Sequence, residues 1–166
     1  QMKESLNRPE IGLIGLSHKT APVDLRERFT LADDELPVFF DKTCSEGVDE
    51  IVYLSTCNRV EIYFITRDMN AAVESVLGVL EGVSSLPRAK FESSLYKKYS
   101  REAVLHLLSV ASSLDSMVLG ENEVFFQVKN CYGKSVRAGK AGTVLNRLFH
   151  QAFRTAKRVR TETDIA

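Results

Sequence analysis

The order of strand-like and helix-like segments in the first hundred residues limits the folds that this chain can adopt. Four short runs are typical of β-strands: mostly apolar runs at residues 11–16, 50–54 and 60–66, and a run of mixed polar and apolar residues at 91–99. A helical region follows the first run, and a second helix, capped by Asn70, separates the third run from the fourth. The order β, α, β, β, α, β is the split βαβ arrangement of a ferredoxin-like sandwich, so we predict an α+β fold.

The sequence after residue 100 has a helical pattern throughout. We therefore expect a ferredoxin-like part over residues 1–100 and a helical part over 101–166. One side of a predicted helix over 101–119 carries residues at steps of three and four: His106, Ser109, Ser113, Ser116 and Gly120. We call this line of polar and small residues the seam. It predicts either close packing against a neighbouring backbone, with His106 bonded to a carbonyl, or the approach of a ligand. A long amphipathic helix from about 143 continues to the end of the sequence, so we expect a fragment of a longer protein.

Composition and cysteine usage argue against several classes of protein. Of the 166 residues, 44% are hydrophobic and 27% are charged, an ordinary globular mixture. No apolar stretch approaches the roughly 20 residues of a membrane span, and no secretion signal is recognisable, so we expect a cytoplasmic protein with no membrane partner. Three separate cysteines, Cys44, Cys57 and Cys131, favour neither a disulfide framework nor a metal site.

Charge is divided unevenly along the chain, although the formal net charge is zero. Residues 124–161 include nine Lys and Arg but no Asp or Glu. One explanation is a polyanionic partner. The other is a basic helix surface that faces solvent or docks on the acidic first part of the same chain. The sequence leaves both explanations open.

A cysteine lies between the second and third predicted strands, in Ser-Thr-Cys-Asn-Arg-Val-Glu at 55–61. On an extended backbone, side chains two positions apart share a face, so we expect Cys57, Arg59 and Glu61 to project together. A nearby cation favours the thiolate, which is the nucleophilic form of cysteine. The alternative is a small, half-buried structural cysteine at a strand end.

Four motifs resemble the amino-terminal catalytic domain of glutamyl-tRNA reductase and occur in that family's order. They are Gly-Leu-Ser-His-Lys-Thr-Ala-Pro-Val at 15–23, Ser-Thr-Cys-Asn-Arg-Val-Glu at 55–61, Leu-Asp-Ser-Met-Val-Leu-Gly-Glu at 114–121 and Lys-Arg-Val-Arg-Thr-Glu-Thr-Asp-Ile at 157–165. The resemblance covers nearly the whole chain.

The resemblance implies an NADPH-dependent oxidoreductase of tetrapyrrole (porphyrin) biosynthesis. In this family a cysteine thiolate attacks the ester of glutamyl-tRNA, and the resulting glutamyl thioester is reduced to glutamate 1-semialdehyde. The Gly-x-Gly-x-x-Gly motif of nicotinamide cofactor binding does not occur in this sequence. The resemblance therefore implies that absent domains bind NADPH and form a homodimer.

The resemblance also implies particular site residues. Cys57 is implied as the nucleophile, and His106 as a catalytic residue that orients or protonates the substrate oxygen. Arg59 would bind the glutamyl carboxylate and Glu121 its ammonium. The implied substrate-binding set is Thr56, Asn58, Arg59, Ser116, Glu121, Asn122, Glu123 and Gln127. The chain departs from the family pattern at Glu123, usually Gln, and at Phe126, usually a small residue.

Two other functions remain open at this point. A non-catalytic, ferredoxin-like tRNA-binding module would expose paired aromatic side chains on its central strands, and Tyr63 and Phe64 are the candidates. A thiol redox protein would need Cys44 or Cys131 to approach Cys57 in space.

Overall fold

A four-stranded antiparallel sheet lies at the centre of the computed structural model, which describes residues 8–113 and 122–163. The strands are β1 (Glu10–Ser17), β2 (Glu50–Thr56), β3 (Arg59–Thr66) and β4 (Tyr96–Tyr99). Their spatial order is β2-β3-β1-β4, and each neighbouring pair is antiparallel. The predicted mixture of strands and helices is confirmed.

The described residues contain six α-helices. They are α1 (Val23–Glu27), α2 (Leu36–Cys44), α3 (Met69–Ser84), α4 (Arg101–Ala111), α5 (Asn122–Arg137) and α6 (Thr143–Thr163). Short 3₁₀ turns occur at Asp33–Glu35, Arg88–Lys90 and Glu92–Ser94. None of the helices in residues 8–113 and 122–163 has the length and apolar character that a membrane crossing requires.

Helices cover both faces of the sheet, because side chains alternate between the faces along each strand. On one face, Tyr63 of β3 packs with Leu107 of α4 and Phe149 of α6, and α5 joins the same cluster. On the other face, Phe64 packs with residues of α2 and α3, including Phe39. The sheet is therefore buried on both sides, between α1–α3 and α4–α6.

The last strand is shorter than predicted. We expected a strand over 91–99, but β4 begins at Tyr96, and two 3₁₀ turns occupy most of 88–94. Phe91 lies between these turns, is fully buried and packs edge-on against Phe29 with ring centroids 5.0 Å apart. Because this ring is buried in the core beneath the sheet, the backbone before Tyr96 does not continue as an extended strand.

The cap of α3 also differs from the prediction. Asp68, rather than Asn70, precedes the helix, and its side chain accepts a hydrogen bond from the Ala71 N–H at 3.2 Å. Thr66 fixes the backbone that leads into the helix, because its hydroxyl oxygen accepts the Asp68 N–H at 3.0 Å. An Asp at the cap position satisfies a free N–H group of the first turn.

The predicted helix over 101–119 ends early. α4 stops at Ala111, and Ser113 adopts the left-handed backbone conformation with φ +61°, which ends the helical path. His106 and Ser109 therefore share the helix, whereas Ser113 does not. The rest of the predicted seam, Ser116 and Gly120, lies outside the described residues.

A single carboxylate fixes the start of α6. Glu50, at the beginning of β2, accepts the N–H groups of Gly142 at 2.8 Å, Val144 at 3.3 Å and Leu145 at 2.9 Å. Gly142 allows this approach, since a Cβ atom there would lie 2.8 Å from the Glu50 carboxyl carbon. The carboxylate thus joins the sheet to the amino-terminal end of the long helix.

Replacing Glu50 with alanine should lower the free energy of unfolding by about 1–2 kcal/mol, because the first N–H groups of α6 lose a charged acceptor. Thermal unfolding followed by circular dichroism should show the midpoint fall by about 2–8 °C. Glu46→Ala removes an exposed carboxylate nearby and should change the stability by less than about 0.5 kcal/mol. Equal losses in the two variants would contradict this role of Glu50.

Both outer strands of the sheet have protected edges. The Ile51 N–H of β2 donates to the Lys140 carbonyl at 2.9 Å, and α5 packs along the same strand. At the opposite edge, β4 has four residues, two of which are Lys97 and Lys98.

Candidate active site

Cys57 and Asn58 form the turn between β2 and β3. The Thr56 hydroxyl oxygen accepts the Asn58 N–H at 3.2 Å, and the Asn58 carbonyl accepts the His18 N–H at 2.8 Å. The turn is thus anchored to the end of β1, and the Cys57 side chain is exposed. We expected Cys57 to share a strand face with Arg59 and Glu61, and that prediction is wrong because Cys57 is not in an extended strand.

Arg59 and Glu61 do share a face of β3, and both are buried, with 3% and 0% of their side chains exposed. The Arg59 Nη1 atom lies 3.2 Å from Glu61 Oε2. The same oxygen bonds to His106 Nε2 at 2.5 Å and accepts the Tyr96 hydroxyl, while Oε1 accepts the Tyr63 hydroxyl at 2.7 Å. We call these five residues the Glu61 network. It joins β3, β4 and α4 through one carboxylate.

The environment keeps Glu61 ionised. Burial alone would raise the pKa of its carboxyl, but the hydrogen bond and charge of His106, together with the Arg59 charge, outweigh burial and lower this pKa. Burial raises the pKa of Tyr63 and of Tyr96, and the neighbouring Glu61 charge raises both further. Both phenols therefore keep their protons and donate to a carboxylate.

Gly15 makes room for the Glu61 network. It lies opposite Glu61 in the β1–β3 pairing and opposite Tyr96 in the β1–β4 pairing. A Cβ atom at Gly15 would lie 2.8 Å from Glu61 Cγ, 2.9 Å from the Val60 carbonyl oxygen and 3.1 Å from the Tyr96 ring. A residue without a side chain is required for both partners to meet over β1.

α5 brings Gln127 toward the hairpin turn. The Ile51 N–H donates to the carbonyl of Lys140, just after α5, and the Cys131 thiol contacts the Ser55 carbonyl at 3.7 Å. α5 therefore runs antiparallel to β2, and the helical turn before Cys131 lies toward Cys57. Gln127 Nε2 lies 3.5 Å from Glu123 Oε1. Among the described residues, the buried Gln127 Oε1 has no hydrogen-bond partner. An unpaired buried acceptor at this position suits an N–H group of a ligand.

Three predicted substrate-binding residues have no described side chain. Ser116 and Glu121 lie outside the described residues, and Asn122 opens α5 without a described side chain. Glu123 is exposed in the first turn of α5. The assigned roles of all eight substrate-binding residues, and those of Cys57 and His106, stay predictions.

Sequence reasoning missed the two tyrosines of the Glu61 network as site residues. Tyr63 had a local signal, because it follows Glu61 by two positions on the same strand face. Tyr96 had none, because its contact with Glu61 depends on the pairing of β4 with β1.

The burial of two aromatic side chains argues against the alternative function, an RNA-binding module that uses the face of the sheet. Tyr63 and Phe64 are fully buried, with 0% exposed, beneath α4–α6 and α1–α3 respectively. The exposed aromatic pair that such a module needs is therefore not formed by these two residues.

The thiol redox alternative receives no support either. The thiols of Cys44, Cys57 and Cys131 are all free. Burial raises the pKa of the Cys131 thiol and that of the Cys44 thiol, so neither is an activated thiolate.

Part of the basic stretch docks on the same chain. Lys134 pairs with Asp33 at 2.8 Å, and Lys140 pairs with Asp41 at 3.1 Å. For these two lysines, the ion pairs agree with docking of the basic stretch on the acidic first part of the same chain. Arg147, Arg154 and Lys157 are exposed on α6, and a polyanionic partner for them stays a prediction.

No group of three or more His, Cys, Asp or Glu side chains within residues 8–113 and 122–163 is arranged to hold a metal ion. The fold and the site define the class of protein. It is a mixed helix and strand domain with an exposed cysteine two residues from a buried network of ionisable side chains.

Comparison with known proteins identifies the family within this class. The family model described as "Glutamyl-tRNAGlu reductase, N-terminal domain" matches residues 14–163. The chain is 48% identical over 155 residues to a glutamyl-tRNA reductase of Magnetococcus marinus, covering 93% of this chain and 37% of that protein. It is 42% identical over 156 residues to one of a Cyanothece species, covering 93% and 36%.

A solved structure agrees with the sequence comparisons. The glutamyl-tRNA reductase from Methanopyrus kandleri superimposes with a TM-score of 0.73 at 32% sequence identity, covering 92% of this chain and 34% of that one. This chain belongs to the family of glutamyl-tRNA reductase N-terminal domains. It spans about a third of the length of the curated relatives that it matches.

Proposed function

We propose that this chain is the catalytic domain of a glutamyl-tRNA reductase, an oxidoreductase, and that Cys57 is its nucleophile. The observation that carries the proposal is the exposed Cys57 thiol on an anchored hairpin turn, two residues from the buried Arg59–Glu61 pair. A nucleophile needs access to its substrate, and the charged groups around it need fixed positions.

The first half-reaction is a transfer of the glutamyl group from oxygen to sulfur. The Cys57 thiolate forms a bond to the ester carbon of glutamyl-tRNA, the bond to the ribose oxygen breaks, and the tRNA leaves with a proton on that oxygen. A thioester carbonyl receives less electron donation than an ester carbonyl, so it is more easily reduced to an aldehyde. This property is the chemical reason for a covalent intermediate.

Charged and polar groups of the site match the two ends of the glutamyl moiety. Arg59 would bind the side-chain carboxylate, with its guanidinium held in place by Glu61. The unpaired Gln127 Oε1 would accept an N–H of the ammonium, with Glu121 as the charged partner. Thr56 and Asn58 border the thiol. Ser116, Asn122 and Glu123 complete the proposed set around α5.

His106 is proposed to act on the substrate oxygen. Its Nε2 is bonded to Glu61, which fixes the orientation of the ring, and 14% of its side chain is exposed. This leaves Nδ1 as the ring atom available for a proton at the substrate. The arrangement is that of an oriented acid, in which a carboxylate holds the imidazole.

The residues of this chain do not fit NADPH. The sequence lacks the Gly-x-Gly-x-x-Gly turn, and the antiparallel sheet offers no crevice at the ends of parallel strands. We propose that a part of the protein outside this chain binds the cofactor, and the chemistry assigned to this chain ends at the thioester. Formation of glutamate 1-semialdehyde for tetrapyrrole synthesis, homodimer formation and a cytoplasmic location are proposals for the whole protein.

Residues 1–100 are proposed to form a ferredoxin-like sandwich, with residues 101–166 as the helical part of the same catalytic domain. The strand order β2-β3-β1-β4, with neighbouring strands antiparallel, supports this description. The helical part would continue toward the absent domains through α6.

The proposal is tested by mixing the chain with tRNA that carries labelled glutamate, without NADPH. Label should appear on the protein and free tRNA should be released. In Cys57→Ser both should fall by roughly 10³-fold or more, since the nucleophile is lost. Cys44→Ser, a matched change of a half-buried thiol, should react like the unaltered chain.

Two outcomes would contradict covalent catalysis by Cys57. Label transfer that survives Cys57→Ser would assign the chemistry elsewhere. Tight tRNA binding without any acylation would favour the alternative function, a non-catalytic tRNA-binding module.

A further inference from the structure

A groove of about 740 Å³ opens between α2 and α3. The two helices pack on the same face of the sheet, and the Ser75 hydroxyl of α3 donates to the Thr43 carbonyl of α2 at 3.4 Å. The described residues that line the groove all lie within 31–46 and 75–83. The groove is therefore separate from Cys57 and from the Glu61 network, and the proposed chemistry does not account for it.

Each wall of the groove follows one side of a helix, because its residues recur at steps of three and four. The wall on α3 consists of Ser75, Gly78, Val79, Gly82 and Val83, and the wall on the side of α2 includes Glu35, Val38, Phe39 and Lys42. The α3 wall covers two helical turns, or about 12 Å. A groove between two helical walls of this length has the shape that a third helix fills.

The groove presents apolar surface to solvent. Val38 is 58% exposed, Val79 and Val83 are half-buried, and Phe39 is buried between the two walls. Apolar surface that is bordered by polar side chains is typical of protein interaction sites.

Two glycines lower the α3 wall. Gly78 and Gly82 lie inside α3, where glycine is destabilising relative to alanine. Among the described residues, a Cβ atom at Gly82 would meet nothing within 4 Å, and one at Gly78 would meet only the Arg88 Nη2 atom at 3.9 Å. Packing within the described part of the chain does not explain these glycines. Close approach of another backbone would explain them.

The rim of the groove is acidic. The described lining residues carry three exposed carboxylates, on Asp34, Glu35 and Glu46, and one ammonium, on Lys42. Within residues 8–113 and 122–163, Asp34 and Glu46 form no ion pair. Unpaired carboxylates beside an apolar groove favour a partner with Lys and Arg and disfavour an acidic partner.

We propose that the α2–α3 groove binds a basic amphipathic α-helix of another protein. The apolar side of that helix lies on Val38, Val79 and Val83, its backbone crosses α3 at the two glycines, and its lysine and arginine side chains pair with the acidic rim. This is the helix-in-groove mode of recognition. The inference does not depend on the chemistry proposed for Cys57.

A second copy of this chain fits the groove less well. α6 is a basic helix with exposed Arg147, Arg154 and Lys157, but its apolar side is buried in its own core through Leu145 and Phe149. It therefore has no apolar side left to place in the groove of a second molecule.

Fluorescence anisotropy of a labelled helical peptide tests the proposal. The probe is a peptide of about 18 leucine and lysine residues, with the leucines at steps of three and four along one side. It should bind the chain, and raising the salt concentration from roughly 0.05 M to 0.5 M should weaken binding, because the rim charges are exposed. A peptide with glutamate at every lysine position, and one with the same composition in scrambled order, should each bind at least roughly tenfold more weakly.

Gly82→Phe should weaken binding of the leucine–lysine peptide by roughly tenfold or more, because the ring fills the groove. The helix should tolerate this change, since a side chain at position 82 enters open space. Val144→Phe is the matched control, because Val144 is partly exposed on α6, across the sheet, and this variant should bind like the unaltered chain.

A pair of charge changes keeps the test decisive if Gly82→Phe fails to fold. Asp34→Lys combined with Glu46→Lys replaces two exposed carboxylates of the rim, and it should weaken binding and remove most of its salt dependence. Glu10→Lys, an exposed change at the start of β1, should leave both unchanged.

Several results would overturn the proposal. One is no binding by the unaltered chain, and another is equal binding by the unaltered chain and the rim variant. Binding that is lost in the full-length protein would show that another part of the same protein occupies the groove. Self-association of the chain that Gly82→Phe abolishes would assign the groove to a second copy.

Discussion

Replacing Glu61 with alanine is expected to lower the free energy of unfolding by about 3–5 kcal/mol, because it removes the buried carboxylate that pairs with the Arg59 charge. The tyrosine hydroxyls of Tyr63 and Tyr96 also lose their shared acceptor. The thermal midpoint should fall by roughly 6–20 °C. Glu10→Ala, an exposed change in the same sheet, should leave the midpoint nearly unchanged. A loss below about 1 kcal/mol in Glu61→Ala would contradict a central role of the carboxylate.

The same network predicts how stability depends on pH. The pKa of Glu61 is lowered in the folded chain, so its contribution is fully present above the ordinary glutamate value of about 4.3. The contribution is lost as the pH falls through the lower folded pKa. Urea unfolding between neutral and acid pH should therefore show a steeper acid loss in the unaltered chain than in Glu61→Gln. Parallel curves would mean that other carboxyls cause the acid sensitivity.

Replacing Phe149 with alanine should cost about 3–5 kcal/mol, because a fully buried ring between the sheet and α5 is removed. Its ring centroid lies 5.7 Å from that of Tyr63 and 5.1 Å from that of Tyr132. Since these contacts join residues on either side of position 100, we expect one unfolding transition for the whole chain. Circular dichroism and tyrosine fluorescence should report the same lowered midpoint.

Val144→Ala is the matched control for Phe149→Ala. Val144 lies on the same helix but is 38% exposed, so its truncation should cost less than about 0.5 kcal/mol. Two separate transitions in Phe149→Ala would show that the parts before and after residue 100 unfold independently, which contradicts the shared core.

The order of strands and helices could be predicted because each segment carries its own hydrophobic pattern. The boundaries that failed depend on distant contacts. β4 begins at Tyr96 because only 96–99 pair with β1, and Phe91 leaves the strand path to enter the core. The end of the predicted 101–119 helix at Ala111 had no local signal, since the backbone conformation of Ser113 cannot be inferred from a serine.

Part of the candidate site could likewise be predicted from the sequence, and part of it depended on distant contacts. Arg59 and Glu61 could be placed on one face from their spacing alone, and the structure brings them together. Cys57 could not, because a two-residue turn interrupts the strand at that point. The meeting of His106 and Tyr96 at Glu61 joins residues up to 45 positions apart, so it required the packing of α4 and the register of β4.

The edges of the sheet have a consequence for the chain at high concentration. A strand from another molecule could pair with β2 only if α5 moved away from that strand and the hydrogen bond from the Ile51 N–H to the Lys140 carbonyl broke. Addition at β4 could engage four residues, two of them lysines, and a second copy would bring like charges together. The ordered sheet is thereby protected against growth into fibrils, and aggregation of this chain would have to start from unfolded molecules.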